Sequence, residues 1–367
     1  MNKILVTGSN GFIGKHMTQA LQRAGYEVLA YDLDKTEDDL KKFVKEADFV
    51  VHLAGINRPL SVEEFYNGNT NFTKKLVDFL KISGKNTPII MSSSTQAALD
   101  NDYGKSKKMG EDYLFASGLP VYVFRLANVF GKWCRPNYNS AAATFMYNIA
   151  HGLPIEIRDP NYVVHYNYVS DIVDTFIECI RGHIRPSKEI LKVTPIYDCS
   201  LGNLASTLKR FKNSIESEEH LPNINSDFEY KLFISFLDYL KDDSYSYNFA
   251  EDQRGSFEEL YKNAKYGQIS VNKSFPGIVK GGHYHTYKNE IFMTVQGHCV
   301  TRLRNINSKE ILVFDQPEHK SVKVQIKPNY THDIKNVGDC ESATIMWISE
   351  VYTDETPDTF RESVDIE

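Results

Sequence analysis

The strongest constraint sits near the start of the chain, where Thr7-Gly8-Ser9-Asn10-Gly11-Phe12-Ile13-Gly14 follows the apolar run Ile4-Leu5-Val6. Strand, glycine-rich turn and helix fall in register here, with GxxGxxG spacing. Glycine is needed where backbone must come close to a pyrophosphate, and a helix N-terminus offers free amides and a positive dipole end. Gly8, Asn10, Gly11, Phe12, Ile13 and Gly14 are therefore the expected contacts of a dinucleotide.

The alternation continues. Residues 3–7, 27–31, 49–53, 88–92 and 121–125 read as strands, and 14–24 and 105–115 as helices. That pattern predicts an α/β fold with a doubly wound parallel sheet. Beyond about residue 135 it loosens, as in a substrate-capping subdomain. An amphipathic helix is expected over 200–215 and a charged loop over 214–227. From about 245 the segments 268–272, 291–295, 299–304 and 343–348 alternate in short runs bounded by Gly, Asn and Pro. These predict an antiparallel barrel. The 367 residues suit two domains, here 1–245 and 246–367.

The net charge of −6 is mild and gives no electrostatic footprint for nucleic acid or an acidic membrane surface. No apolar run reaches the roughly 18 residues of a spanning helix, and the glycines from Gly8 onward interrupt any leader-like stretch. Cys134, Cys179, Cys199, Cys299 and Cys340 form no CxxC pair. They are expected to be buried thiols in a reducing cytoplasm.

Asp32 ends the second expected strand. A carboxylate there accepts a ribose 2′-hydroxyl and favours NADH, whereas Lys35 could meet a 2′-phosphate, so NADH and NADPH both stay open. Tyr103 and Lys107 share a helix face at i, i+4. The lysine charge would lower the phenol from about 10, fitting it to protonate a carbonyl reduced by hydride. Tyr31/Lys35, Tyr261/Lys265 and Tyr284/Lys288 have the same spacing. Only Tyr103 follows closely on a polar strand end, Ser92-Ser93-Ser94-Thr95, where Ser94 is the expected hydroxyl partner and Ser93 the alternative.

In the second half, His283 and His285 project to one side of a strand. Glu290 on the neighbouring strand and His332 in the turn 328–332 complete a four-ligand set. Three histidines and a carboxylate suit zinc, and also iron, nickel or manganese. His298 and His319 lack such spacing and read as surface residues.

As a set, the glycine turn, His52-Leu53-Ala54-Gly55, the serine run, Tyr103-xxx-Lys107 and Arg125-xx-Asn128-xx-Gly131 resemble the extended short-chain dehydrogenase/reductases. That resemblance implies nucleotide-sugar substrates, with Leu53, Ala54, Gly55 and Lys107 at the cofactor and Asn128 at the diphosphate. The arginine usual in the family's later V-x-D segment is missing from Val164-His165-Tyr166-Asn167-Tyr168-Val169-Ser170-Asp171, which leaves Lys132 or Arg135 to meet that charge. The spacing G(x)5HxH(x)4E(x)6G from Gly277 to Gly297 resembles the first cupin motif, and Asp252-x-Arg254-Gly255-x-Phe257 resembles the deoxysugar 3,5-epimerases.

A reductase joined to a sugar cupin is similar to a narrow group of capsular-polysaccharide and O-antigen synthesis enzymes. Residues 130–140 and 283–290 carry that likeness. It implies a UDP-linked 2-acetamido-2,6-dideoxy-4-ketohexose substrate on the route to UDP-N-acetyl-L-fucosamine, epimerised at carbon 3 by the cupin and reduced at carbon 4 with NAD(P)H. NADPH, bound zinc and a homodimer are further implications of the resemblance. The alternative is a reductase whose cupin only binds sugar or dimerises.

Overall fold

A computed structural model describes residues 2–217, 221–241, 249–263, 265–320, 322–351 and 357–366. The chain forms two compact units, Met1–Leu208 with Ser226–Lys241, and Lys209–Asn225 with Asp242–Glu367.

In the first unit the apolar runs become strands buried on both faces, as parallel sheets require. Six strands pair in the order Glu27–Tyr31, Lys3–Thr7, Phe49–His52, Ile89–Ser94, Val121–Leu126, Ile190–Leu191, all parallel. One face packs Ile4, Val6, Ile90 and Phe124 against Met17, Leu21 and Phe176. The other packs Leu5, Val50 and Ile89 against Leu40, Leu76, Leu80 and Leu114. Helices thus cover both sides, and the doubly wound expectation holds.

Strand order reverses beside Lys3–Thr7, so a crevice opens at the carboxyl ends of that strand and Phe49–His52. A smaller sheet orders Asn128–Phe130, Val163–Tyr168 and Tyr197–Ser200. The helix carrying Tyr103 runs Asp102–Phe115, starting three residues before the expected 105. Asn101 explains the difference: its side-chain oxygen accepts the Gly104 N–H at 2.8 Å and caps the first turn.

The second unit builds two antiparallel sheets. One orders Phe249–Asp252, Gly255–Asn263, Gly267–Ser274, Ser342–Ile348, Glu290–Gln296 and Val324–Ile326; the other orders Ile311–Pro317, His298–Asn305, Tyr330–Asn336, Val279–Tyr284 and Phe360–Arg361. Phe292, Cys299, Leu303, Ile326, Ile334 and Met346 form its core. The expected strands are present and run longer than read.

Val279–Tyr284 carries a β-bulge, its register against Tyr330–Asn336 shifting between Gly281 and His283. Gly281 and Gly282 both take positive φ, +113° and +74°, which suits residues lacking a Cβ. The Asp252-x-Arg254-Gly255 stretch is a hairpin turn locked by an Arg254–Asp252 ion pair at 2.6 Å.

One expectation about the thiols is corrected. Cys134, Cys179 and Cys299 are buried and Cys199 is half-buried, but Cys340 is exposed. It lies between the strands Tyr330–Asn336 and Ser342–Ile348, where its carbonyl accepts from Asn336 Nδ2 at 2.8 Å. Among the described residues no helix is long and apolar enough to cross a membrane.

Candidate functional site

The glycine turn closes against the end of Phe49–His52. Gly8 takes φ +71° and gives its N–H to Tyr31 O at 2.9 Å. A Cβ there would sit 2.7 Å from Ala54 N, and one at Gly14 only 2.0 Å from Gly8 O. Asp32 accepts the Asn10 N–H at 2.7 Å and the Leu33 N–H at 2.8 Å. Its carboxylate therefore braces the turn from the end of the second strand.

A cavity of about 610 Å³ opens beside this turn. It gathers Gly8, Asn10, Gly11, Phe12, Ile13 and Gly14 with Leu53 and Gly55, and adds Ser94, Tyr103, Lys107, Asn128 and Arg135. Asp32, Ala54 and Lys132 stand outside its lining. Lys132 instead lies 3.5 Å from Asp238 and over the Trp133 ring. At Gly55 a Cβ would come within 2.8 Å of both Lys107 Nζ and Asn69 Oδ1. That bare-backbone cradle over the lysine fits the close approach of a dinucleotide.

The serine run separates into two roles because successive strand residues face opposite sides. Ser94 lines the crevice together with Tyr103. Ser93 turns away and donates to Glu111 Oε1 at 2.5 Å. Glu111 is fully buried and pairs with Arg125 through Nε at 3.0 Å and Nη2 at 2.7 Å. Tyr103 also packs on Phe65, with ring centroids 5.6 Å apart.

Burial pushes the Lys107 amine down to about 8, opposed by the Glu111 charge. The expected lowering of the Tyr103 phenol is corrected: burial raises it, and the nearby Ser94 hydroxyl offsets only part. The phenol is thus a firmly protonated acid. Beneath the site, His52 is fully buried between Thr7 Oγ1 at 2.7 Å and Thr73 Oγ1 at 2.9 Å. Thr73 spends its proton on Asn69 O. We accordingly assign the His52 proton to Nε2, with Nδ1 accepting from Thr7.

In the barrel, His283, His285 and His332 place ring nitrogens within 4.8 Å of one another. Glu290 Oε2 lies 3.0 Å from His332 Nε2 and 3.5 Å from His285 Nε2. His285 Nε2 and Glu290 Oε2 are buried without a hydrogen-bond partner, a costly state that a cation would relieve. The four residues therefore fit a divalent metal.

His332 corrects one reading. It belongs to the strand Tyr330–Asn336 and faces His283 across the ladder, while the turn before it is made by Asn329 at φ +65°. The bulge at Gly281–Gly282 adds one residue, which brings Lys280 onto the same face as His283. Both line a cavity of about 340 Å³ with Phe257, Glu259, Gln268 and Met346. His298 and His319 sit apart, beside Asp315 and Glu318.

Sequence reasoning missed Asp358. Its backbone carbonyl accepts from His285 Nδ1 at 2.5 Å, and its carboxylate takes the N–H groups of Thr286 and Tyr287 at 2.9 and 3.2 Å. This fixes the histidine tautomer with Nε2 free to ligate. Glu111 and Asn69 were missed as well. Asn69 is buried and holds Ile56 N–H at 2.8 Å and Ser106 Oγ at 3.0 Å.

The NAD dependent epimerase/dehydratase family profile matches residues 4–192, and that of the polysaccharide biosynthesis C-terminal domain matches residues 250–360. The crystal structure of the capsular polysaccharide assembling protein CapF from Staphylococcus aureus superimposes with a TM-score of 0.89, at 39% identity, over 99% of this chain and 100% of that one. The chain belongs to the CapF-like family.

A curated relative from Pseudomonas aeruginosa, UDP-2-acetamido-2,6-beta-L-arabino-hexul-4-ose reductase, is 39% identical over 99% of both chains. A UDP-glucuronic acid 4-epimerase from Bacillus cereus, solved with UDP-glucuronic acid and NAD, shares the fold. Its TM-score is 0.55 at 18% identity, over 65% of this chain and 99% of its own.

Proposed function

We propose that this chain is a two-step nucleotide-sugar enzyme. Its barrel epimerises carbon 3 of a UDP-linked 2-acetamido-2,6-dideoxy-4-ketohexose, and its reductase unit then reduces the carbon 4 ketone with NAD(P)H. The product lies towards UDP-N-acetyl-L-fucosamine for bacterial surface polysaccharide. Residues 1–245 form the reductase with its substrate subdomain, and 246–367 form the metal-binding cupin. The enzyme acts in the cytoplasm as a homodimer.

The observation that carries the reductase step is the Ser94–Tyr103–Lys107 set standing in one crevice with the glycine turn. The name of the Pseudomonas aeruginosa relative supports the substrate class. When bound, the dinucleotide supplies hydride, and a divalent cation, zinc by its donor set, supplies Lewis acidity. Tyr103 gives its phenolic proton to the carbon 4 oxygen. Ser94 holds that phenol in line, and Lys107 lines the same crevice, its amine 2.8 Å from the Cβ position of Gly55. Gly8, Gly11, Gly14, Leu53 and Gly55 shape the dinucleotide seat, braced by Asp32 and Ala54. Asn128, Arg135 and Lys132 serve the substrate side.

His283, His285, Glu290 and His332 hold the cation in the barrel. Carbon 3 is acidic only while carbon 4 is a ketone, so epimerisation precedes reduction.

The test is isotopic. Tyr103→Phe protein, given the keto-sugar in heavy water without dinucleotide, should still exchange the carbon 3 hydrogen. The same chain with His283 and Glu290 both replaced should not. Loss of exchange in Tyr103→Phe, with fold and metal intact, would put both steps in the reductase crevice and make the barrel an accessory module.

A further inference from the structure

Two guanidinium groups of the reductase unit converge on one ring with no carboxylate paired to either among the described residues. Arg58 comes shortly after the Leu53–Gly55 segment, and Arg135 lies in the loop leaving Asn128–Phe130. The Arg58 guanidinium carbon is 5.6 Å from the centroid of Tyr138, and that of Arg135 is 5.1 Å away. Both arginines are exposed, and among the described residues neither makes an ion pair or hydrogen bond with a carboxylate. Arg125 and Arg181 of the same unit, by contrast, are paired with Glu111 and Glu178.

The ring face attracts each cation. Their mutual repulsion is uncompensated until an anion arrives. Arginine's planar fork matches phosphate oxygens bidentately, which suits a ligand with two adjoining phosphates.

The loop carrying Arg135 and Tyr138 is held in place from several sides. Trp133 and Asn137 both adopt left-handed backbone, at φ +67° and +54°, a conformation that persists only when surroundings impose it. The Trp133 N–H donates to Asp238 Oδ2 at 3.1 Å and the Asn137 N–H to Thr144 Oγ1 at 3.0 Å. The Tyr239 hydroxyl donates to Cys134 O. Arg135 and Tyr138 line the crevice that holds Tyr103 and Asn128, and so does Asn57, the neighbour of Arg58. The two cations are therefore presented at the mouth of the reductase site on a fixed support.

We propose that Arg58 and Arg135, resting on Tyr138, form a clamp for the diphosphate of a nucleotide ligand. The choice of the substrate's diphosphate rests on the nucleotide-sugar reading above; the pyrophosphate of the dinucleotide is the other source of the same chemistry.

Calorimetric titration of the full chain with UDP, uridine, NADH and NADPH separates them. Arg58→Ala should weaken UDP about tenfold or more, the scale of a lost charge-assisted contact. Uridine and both dinucleotides should stay within about twofold, a few tenths of a kcal/mol. Arg58→Lys should recover only part, since it keeps the charge and loses the fork. Because Arg58 is exposed, folding should be unaffected, and circular dichroism checks this. A tenfold loss for the dinucleotides with UDP unchanged would keep the clamp and assign it to the cofactor. Unchanged affinity for every phosphate ligand in both Arg58→Ala and Arg135→Ala would overturn it. Wild-type protein that binds dinucleotide but no UDP would defeat the nucleotide-sugar reading, while the dinucleotide arm still decides the clamp.

Discussion

Replacing Ser93 and Ser94 by alanine, one at a time, should damage the protein in two different ways. Ser93 spends its hydroxyl on buried Glu111 at 2.5 Å, beside the Arg125 fork. Deleting a hydrogen bond to a buried charged group costs about 1.5–3 kcal/mol. In a domain of 150–250 residues each kcal/mol moves the melting temperature by about 2–4 °C, so Ser93→Ala should melt roughly 3–12 °C lower. Its turnover per folded molecule should stay within a few-fold.

Ser94 stands in the crevice with the Tyr103 phenol and accepts the Gln96 N–H at 3.2 Å. Losing that cap costs only about 0.5–1 kcal/mol. Losing a positioned partner at the reacting oxygen costs about 10²–10³ in turnover, or about 2.7–4 kcal/mol of barrier. Oxidation of the reduced nicotinamide under single-turnover conditions reads the second effect, and thermal unfolding by circular dichroism reads the first. Normal turnover in Ser94→Ala, together with a slow but fully stable Ser93→Ala, would show that the strand end presents the other hydroxyl and that the acid has been misread.

Three further outcomes are expected. His283→Ala or Glu290→Ala should strip most of the metal from purified protein, since the remaining groups cannot complete the shell; undiminished metal by elemental analysis would count against the site. Burial holds His52 neutral and pushes it down to about 3, against about 6.5 unfolded. The unfolded chain thus takes up the proton first, and stability present above about 6.5 is lost towards pH 3, at up to about 1.4 kcal/mol per unit. Urea unfolding of His52→Gln should show that slope reduced by one proton, and an unchanged slope would contradict the buried neutral ring. Gly55→Ala should displace Lys107 Nζ, 2.8 Å from the new methyl, and lower turnover about tenfold or more. Its dinucleotide affinity, measured by fluorescence titration, should fall as well.

The parallel sheet was legible because its strands are buried on both faces and so stand out as unbroken apolar runs. The glycine turn and the His283, His285, Glu290 spacing were legible because each is local, a few residues bound to one turn or hairpin. What escaped was set by distant parts of the chain. Asp358 reaches His285 from over seventy positions away, and no spacing announces it. Glu111 reads as an ordinary helix residue until Arg125 and Ser93 close on it. The phenol's direction of shift was misjudged because burial, invisible in an i, i+4 pair, outweighs the neighbouring polar groups. Cys340 was misplaced for the converse reason, its turn leaving the thiol in solvent.

The bulge at Gly281–Gly282 makes the barrel's chemistry a matter of counting. One surplus residue lets Lys280 and His283, three apart in the chain, pair with Ile334 and His332 and so face one side, where an unbulged strand would point them to opposite faces. Adding a side chain at Gly281 would meet His332 O at 2.6 Å. The spacing of the candidate ligands from Lys280 therefore depends on two residues that carry no side chain. A substitution at Gly281 would thus press on the strand that carries His332, disturbing the ligand set while leaving every ligand in the sequence to suggest that the site is intact.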